Sequence, residues 1–166
     1  MDEKILIYNT LTGKKDILEI PQNEPLKLFV CGPTVYDYPH IGNARTYLNF
    51  DIIVRYLRSV DIKVFYLQNI TDLDDKIIDK ASTEKVSYEK IARKFEKIYH
   101  ANEKALGIRS VDQYAAATKF IPEIIQQIQI LIAKGCAYKI DGDGYYFDIS
   151  KFPEYGKLSH RTIEAA

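Results

Sequence analysis

Apolar residues fall along the chain in two kinds of block. Residues 4–9 (KILIYN) and 26–31 (LKLFVC) are short, apolar and rich in β-branched and aromatic side chains, and each predicts a strand. Gly13 and the stretch Pro21–Pro25 break the chain between them. From residue 44 to 59 apolar side chains recur at 44, 47, 48, 52, 53, 56 and 57, the spacing of a helix with one buried face. Residues 62–70 (IKVFYLQNI) predict a further buried strand. Strand, helix and strand in this order predict a βαβ unit with parallel strands.

Thr71, with Asp74 three residues on, predicts the start of a short helix over about 72–81. Positions 88, 91, 92, 95, 98, 99 and 106 form one apolar face over 87–106, and Gly107 ends that helix. A second stripe at 121, 124, 125, 128, 131 and 132 predicts a helix over 118–134, with Pro122 tolerated in the first turn and Gly135 as the stop. AYKI, DGDG and YYFDI then predict a β-hairpin. The pattern changes near 108–118. The expected organisation is therefore an α/β part followed, from a boundary within 108–118, by a helix-plus-hairpin part.

Composition narrows the classes. Of 166 residues 46% are hydrophobic, enough for a core, and 23 basic residues balance 23 acidic ones. Zero net charge argues against bulk attraction to nucleic acid or to an anionic membrane, although it hides any local basic face. Two cysteines, Cys31 and Cys136, make no disulfide framework and predict reduced thiols in a cytoplasmic protein. The first fifteen residues have no signal-peptide pattern, and no apolar run approaches the ~18 residues of a membrane span.

The chemistry concentrates in FVCGPTVYDYPHIGNARTY, residues 29–47, between the second strand and the first helix. Open α/β sheets bind ligands at the carboxyl ends of their strands. A helix start offers free N–H groups and partial positive charge to a phosphate. Gly42 allows close backbone approach, and His40 is placed to donate to phosphate oxygens. The same residues also fit a plain reading, with Asn43 as the helix cap and His40 as an ordinary loop residue.

CGPTVYDYPHIGNAR, then FDIIVRYL, then YLQNITDLDDKIIDKA resemble the N-terminal part of the cysteinyl-tRNA synthetases, a family of class I aminoacyl-tRNA synthetases. The similarity continues through AAATKFIPEIIQQIQILIAKGCAY and YGKLS. The resemblance sets the division at 1–113 and 114–166. It implies that the first part is the nucleotide-binding first half of a Rossmann-type (HUP-like) catalytic domain, and that the second is the start of the connective insertion. It implies ATP-dependent activation of cysteine, with Mg2+ accompanying ATP, and transfer of the cysteinyl group to tRNA(Cys).

It also implies roles for single residues. Cys31 stands at the family's zinc-ligand cysteine, and the zinc there holds the substrate thiolate. Serine and cysteine differ by one atom, and an ordinary pocket separates such neighbours by only ~1–3 kcal/mol, so a metal that prefers sulfur supplies discrimination. Read without the resemblance, Cys31 fits a buried, inert strand-end thiol better than a metal ligand. Gly32 and Thr34 would line the cysteine pocket, and Thr71 would bind the substrate's amino group or cap a helix. His40 and Asn43 would be catalytic, contacting the ATP phosphates, with Gly42 against the adenosine side. Asn43 departs from the histidine of the family's HIGH motif and carries no charge.

Other features carry less. Asp72, Asp74 and Asp75 fit an acidic first helical turn better than a metal cluster. The DGDG loop lacks a glutamate at position 12 of a calcium loop, where Phe152 stands. Cys136 and His100 read as packing and partly solvated residues. The family's remaining zinc ligands and its KMSKS-type loop have no counterpart here, so the chain is expected to be an N-terminal fragment, inactive alone, of a monomeric enzyme. Two alternatives remain: a cysteine–amino-sugar ligase of mycothiol synthesis, or a non-enzymatic nucleotide- or partner-binding half-domain.

Overall fold

A computed structural model describes residues 4–161. They fall into two compact units, one formed by residues 20–120 and the other by the residues up to Glu19 together with those from Ile121 on.

In the 20–120 unit, strand β3 (Leu26–Val30), helix α1 (Ile41–Ser59) and strand β4 (Val64–Ile70) form the expected βαβ unit. Helices α2 (Asp75–Glu84) and α3 (Tyr88–Ala105) follow, then strand β5 (Gln113–Ala116). The sheet is parallel throughout, in the order β3-β4-β5. Leu26 pairs with Val64 and Val30 with Gln68, while Leu67 to Ile70 pair with Gln113 to Ala116. Residue-by-residue alternation in β4 buries Val64, Tyr66, Gln68 and Ile70. The core closes around them with Val54, Leu57, Ile77, Ile91, Phe95 and Tyr99.

Two features depart from the hydrophobic pattern. Helix α1 buries Tyr47, Asp51, Val54 and Leu57, and leaves Ile52, Ile53 and Tyr56 exposed. The buried polar member is Asp51, whose Oδ1 accepts from the Arg109 and Ser110 amides at 2.8 Å each. A periodicity count takes an aspartate as the solvent side, yet here it binds the segment leading into β5. Strand β5 itself was not expected, because QYAA has little strand character. It is fixed by Asp112, whose Oδ2 accepts from Arg58 at 2.6 Å and from the Tyr66 amide at 2.7 Å. The strand straddles the expected division at 113/114.

Helix α2 starts three residues later than its sequence signal. Asp74 is the cap, accepting from the Lys76 amide at 2.9 Å, while Thr71 belongs to the sheet side of the turn. Asp72 lies outside the helix, and both its carboxylate oxygens accept from Thr118. Helix α3 buries Ile91, Ala92, Phe95 and Tyr99 of its predicted face and adds Glu103 to it, while Leu106, just past its end, is exposed.

In the other unit, strands β1 (Leu6–Asn9) and β2 (Lys14–Ile17) pair antiparallel through a turn at Gly13, whose φ is +70°. The polar sequence KKDI hid β2. Helix α4 (Ile121–Ala133) packs against β6 (Ala137–Ile140), which forms the predicted hairpin with β7 (Gly144–Phe147). The isoleucine stripe of α4 contains no fully buried residue. Among the described residues no helix is long and apolar enough to cross a membrane.

Candidate functional site

The parallel register of β3 and β4 continues beyond both strands. The Thr71 amide donates to the Pro33 carbonyl at 3.0 Å, and the Val35 amide donates to the Thr71 carbonyl at 3.1 Å. Thr34 and Thr71 are thereby bridged side by side. Gly32 is held at the same level, its amide donating to Asn69 Oδ1 at 2.8 Å. A Cβ on Gly32 would sit 1.7 Å from the Asn69 carbonyl oxygen, so only glycine allows this approach. Gly32, Thr34 and Thr71, distant in sequence, are brought together at the carboxyl end of the sheet. Cys31, at the end of β3, is exposed rather than buried, and its Sγ lies 3.8 Å from the Gly32 carbonyl oxygen.

The loop then crosses to α1. Asp37 pairs with Lys80 of α2 at 3.2 Å. The Tyr38 amide, and after it Lys80, hold the Asp37 carboxyl below the ordinary carboxylate range. Tyr38 packs edge-on against Phe95 at 5.4 Å between ring centres, with Lys80 over the same ring at 4.4 Å. These contacts fix the loop on α2 and α3.

At the start of α1 the cap is His40, not Asn43. His40 Nδ1 accepts from the Gly42 amide at 3.0 Å, and Asn43 Oδ1 accepts from the His40 amide at 3.1 Å. The reciprocal arrangement is a capping box built from histidine and asparagine. It assigns the groups. With Nδ1 accepting, the neutral ring carries its hydrogen on Nε2, and Asn43 keeps its side-chain N–H2 free. A Cβ on Gly42 would lie 2.7 Å and 2.8 Å from two atoms of the His40 ring, so glycine lets the imidazole fold over the helix end. The Gly42 amide, one of the N–H groups at this helix start, is taken by His40.

A cavity of about 280 Å³ lies beside this helix start, lined among others by His40, Ala44, Tyr47, Tyr99 and Glu103. Tyr47 is buried, and its phenol is pushed up to about 12, by burial first and then by the negative charge available to Cys31 and Glu103. Glu103, 4% exposed, accepts from Tyr99 and Tyr114 at 2.6 Å each. His100 packs edge-on to Tyr114 at 4.5 Å and keeps its side chain 38% exposed, the partly solvated setting expected of it. None of Asn69, Tyr47 or Glu103 stands out in the sequence. Asn69 lies inside the NITD segment, but nothing in a strand pattern shows that it reaches a glycine 37 positions earlier.

A zinc ion at Cys31 would usually need about four ligands. Among the described residues no three His, Cys, Asp or Glu side chains converge on one point, so these residues do not by themselves form that site.

Comparison with known proteins adds a separate finding. The family model described as the class I (C) tRNA synthetase catalytic domain matches residues 17–166. A cysteine–tRNA ligase of Coxiella burnetii is 45% identical over 160 residues, covering 96% of this chain and 35% of the relative. One of Methanococcus vannielii is 48% identical over 158 residues, covering 95% of this chain and 33% of the relative. The chain thus spans about a third of the length of the curated relatives it matches. Among solved structures, Mycobacterium tuberculosis methionyl-tRNA synthetase bound by methionyl-adenylate aligns with a TM-score of 0.64 at 22% identity. It covers 69% of this chain and 23% of its own. At that identity the likeness is one of fold.

Proposed function

The chain belongs to the family of class I (C) tRNA synthetase catalytic domains, and from that premise we propose that the protein containing it is a cysteine–tRNA ligase. Its substrates would be cysteine, ATP with Mg2+, and tRNA(Cys). In the first step a carboxylate oxygen of cysteine bonds to the α-phosphorus of ATP. The bond to the β-phosphate oxygen breaks, giving cysteinyl-adenylate and pyrophosphate. In the second, a terminal ribose hydroxyl of the tRNA attacks the carbonyl carbon and releases AMP.

The observation that carries this reading is the convergence of Gly32, Thr34 and Thr71 at the sheet's carboxyl end, one short loop away from the His40–Asn43 helix start. The first group would receive the amino acid. The second would receive the triphosphate, with His40 Nε2–H and the Asn43 side-chain N–H2 donating to phosphate oxygens as charge builds there, and with Gly42 against the adenosine. Fixed donors supply positioning and charge stabilisation without reorganisation. Cys31 would be one zinc ligand, and zinc would favour a thiol-bearing substrate over its hydroxyl analogue. A cytoplasmic, monomeric enzyme and a Rossmann-type half ending near 113 complete the proposal.

The test is cysteine-dependent exchange of pyrophosphate into ATP, measured on the complete gene product that contains this sequence. Exchange with cysteine and not with serine supports the reading. Exchange that ignores cysteine, or ligation of cysteine to an amino sugar instead of tRNA, overturns it.

A further inference from the structure

Asn69 connects the two sides of the candidate amino-acid pocket with one side chain. Its Oδ1 accepts from the Gly32 amide at 2.8 Å, and its Nδ2 donates to Thr71 Oγ1 at 3.3 Å. The orientation of this amide is not a free choice. A backbone N–H can only donate, so the atom facing Gly32 is the oxygen, and the atom facing Thr71 is the nitrogen. The nitrogen occupies one lone pair of the Thr71 hydroxyl. That leaves the hydroxyl hydrogen and one lone pair to face a ligand.

The backbone of the same residue sets the other dimension. The Asn69 carbonyl sits directly under the Gly32 α-carbon, where a Cβ would be 1.7 Å from its oxygen. Gly32 also follows Cys31, so the segment that carries the thiol rests on Asn69. Without Asn69 the Thr71 hydroxyl is free to rotate, and the Gly32 amide loses its partner.

We infer that Asn69 is a positioning residue for cysteine binding, acting through Thr71 and Gly32 rather than touching the substrate. This rests on the cysteine-activating function proposed above. Gln68 and Ile70 point to the opposite, buried face of β4, so Asn69 is the residue of this strand end that reaches Gly32 and Thr71 together.

The test is a double-mutant cycle in the complete gene product, read as KM for cysteine and kcat in cysteine-dependent ATP–pyrophosphate exchange, with Tm measured alongside. Asn69→Leu should raise KM about tenfold, equivalent to about 1.4 kcal/mol. Thr71→Val should do the same, and the double variant should fall clearly short of the product of the two effects, because the part of the Asn69 effect that passes through Thr71 is already lost in Thr71→Val. Asn69→Asp keeps the acceptor for Gly32 but cannot donate to Thr71. It should hold Tm near wild type while shifting KM by about threefold or more, a split that a purely structural role does not produce. Fully additive effects on KM, or a lowered Tm with unchanged KM in all Asn69 variants, overturn the inference. A wild-type protein without cysteine-dependent exchange overturns the function it rests on, and is recognised before any variant is compared.

Discussion

Tyr99 donates its phenolic hydrogen to Glu103 at 2.6 Å inside the core, while its oxygen lies 2.8 Å from the end of the Gln68 side chain. The phenol has one hydrogen. It therefore serves one of two acceptors at a time, Glu103 Oε1 or Gln68 Oε1, while the Gln68 amide nitrogen has no partner in the interior. Tyr114 completes Glu103 from β5, so the network ties α3 to β4 and β5. Tyr99→Phe removes the central link without changing shape. It should destabilise the protein by about 1–3 kcal/mol, since two buried polar groups lose a partner. Chemical denaturation monitored by circular dichroism checks this, and an unchanged midpoint would mean the network contributes nothing net.

Burial raises a set of phenols together. Tyr47, Tyr66, Tyr99 and Tyr114 are all shifted above the ordinary 10, in each case first by burial and then, for Tyr99 and Tyr114, by the hydrogen bond to Glu103. A folded-state pKa above the unfolded value gives stability that is whole below the unfolded pKa and is lost as pH rises through the folded one. Stability should therefore be flat up to pH 10 and fall between 10 and about 12, where Tyr47 titrates. Ultraviolet titration of tyrosinate should show these four of the 13 tyrosines ionising only as the chain unfolds. Smooth titration of all thirteen near pH 10 would contradict the packing described.

Asp51 behaves in the opposite sense. Burial alone would raise its carboxyl, but the Arg109 amide, then the hydroxyl and amide of Ser110, and the charge of Arg55 outweigh burial and hold it below the ordinary 3.8. A depressed folded pKa gives stability present above the unfolded value and lost as pH falls through the folded one. Asp51→Asn should be less stable than wild type at pH 7, and the gap should close as pH falls below 3.8. Thermal melts of both proteins from pH 7 to pH 3 measure this. A gap that stays constant across the range would show that charge at Asp51 is not what matters.

The elements with strong local signals were legible in the sequence. The βαβ order, α3 with its Gly107 stop and the hairpin around Gly142 all stand where periodicity and turn residues put them. What escaped depends on contacts between distant residues. Strand β5 exists because Asp112 meets Arg58 and Tyr66, which no property of QYAA announces. The burial of Asp51 is set by two amides 58 and 59 positions away. In the candidate site, His40, Gly42 and Asn43 were found as a group. Their reciprocal capping was not, because histidine seldom serves as a cap and Asn43 was the stronger local candidate.

That capping geometry lets the cap at His40 be told apart from the phosphate-donor role proposed for it. Gly42 gives the His40 ring room to lie over the helix end, and a Cβ there would meet the ring at 2.7 Å. His40→Ala removes both the cap, worth about 1 kcal/mol, and the Nε2–H donor. His40→Asn restores a capping acceptor but places no donor at the position of Nε2. The expected result is that His40→Asn recovers most of the Tm lost in His40→Ala, while both slow adenylate formation by at least about tenfold, the low end for a donor aimed at developing charge. Gly42→Ala should resemble His40→Ala in rate, because the displaced ring no longer holds Nε2 in place. Single-turnover adenylate formation and thermal melts on the three variants read the two roles independently. If the rate were to follow Tm across all three, His40 would be a cap and nothing more.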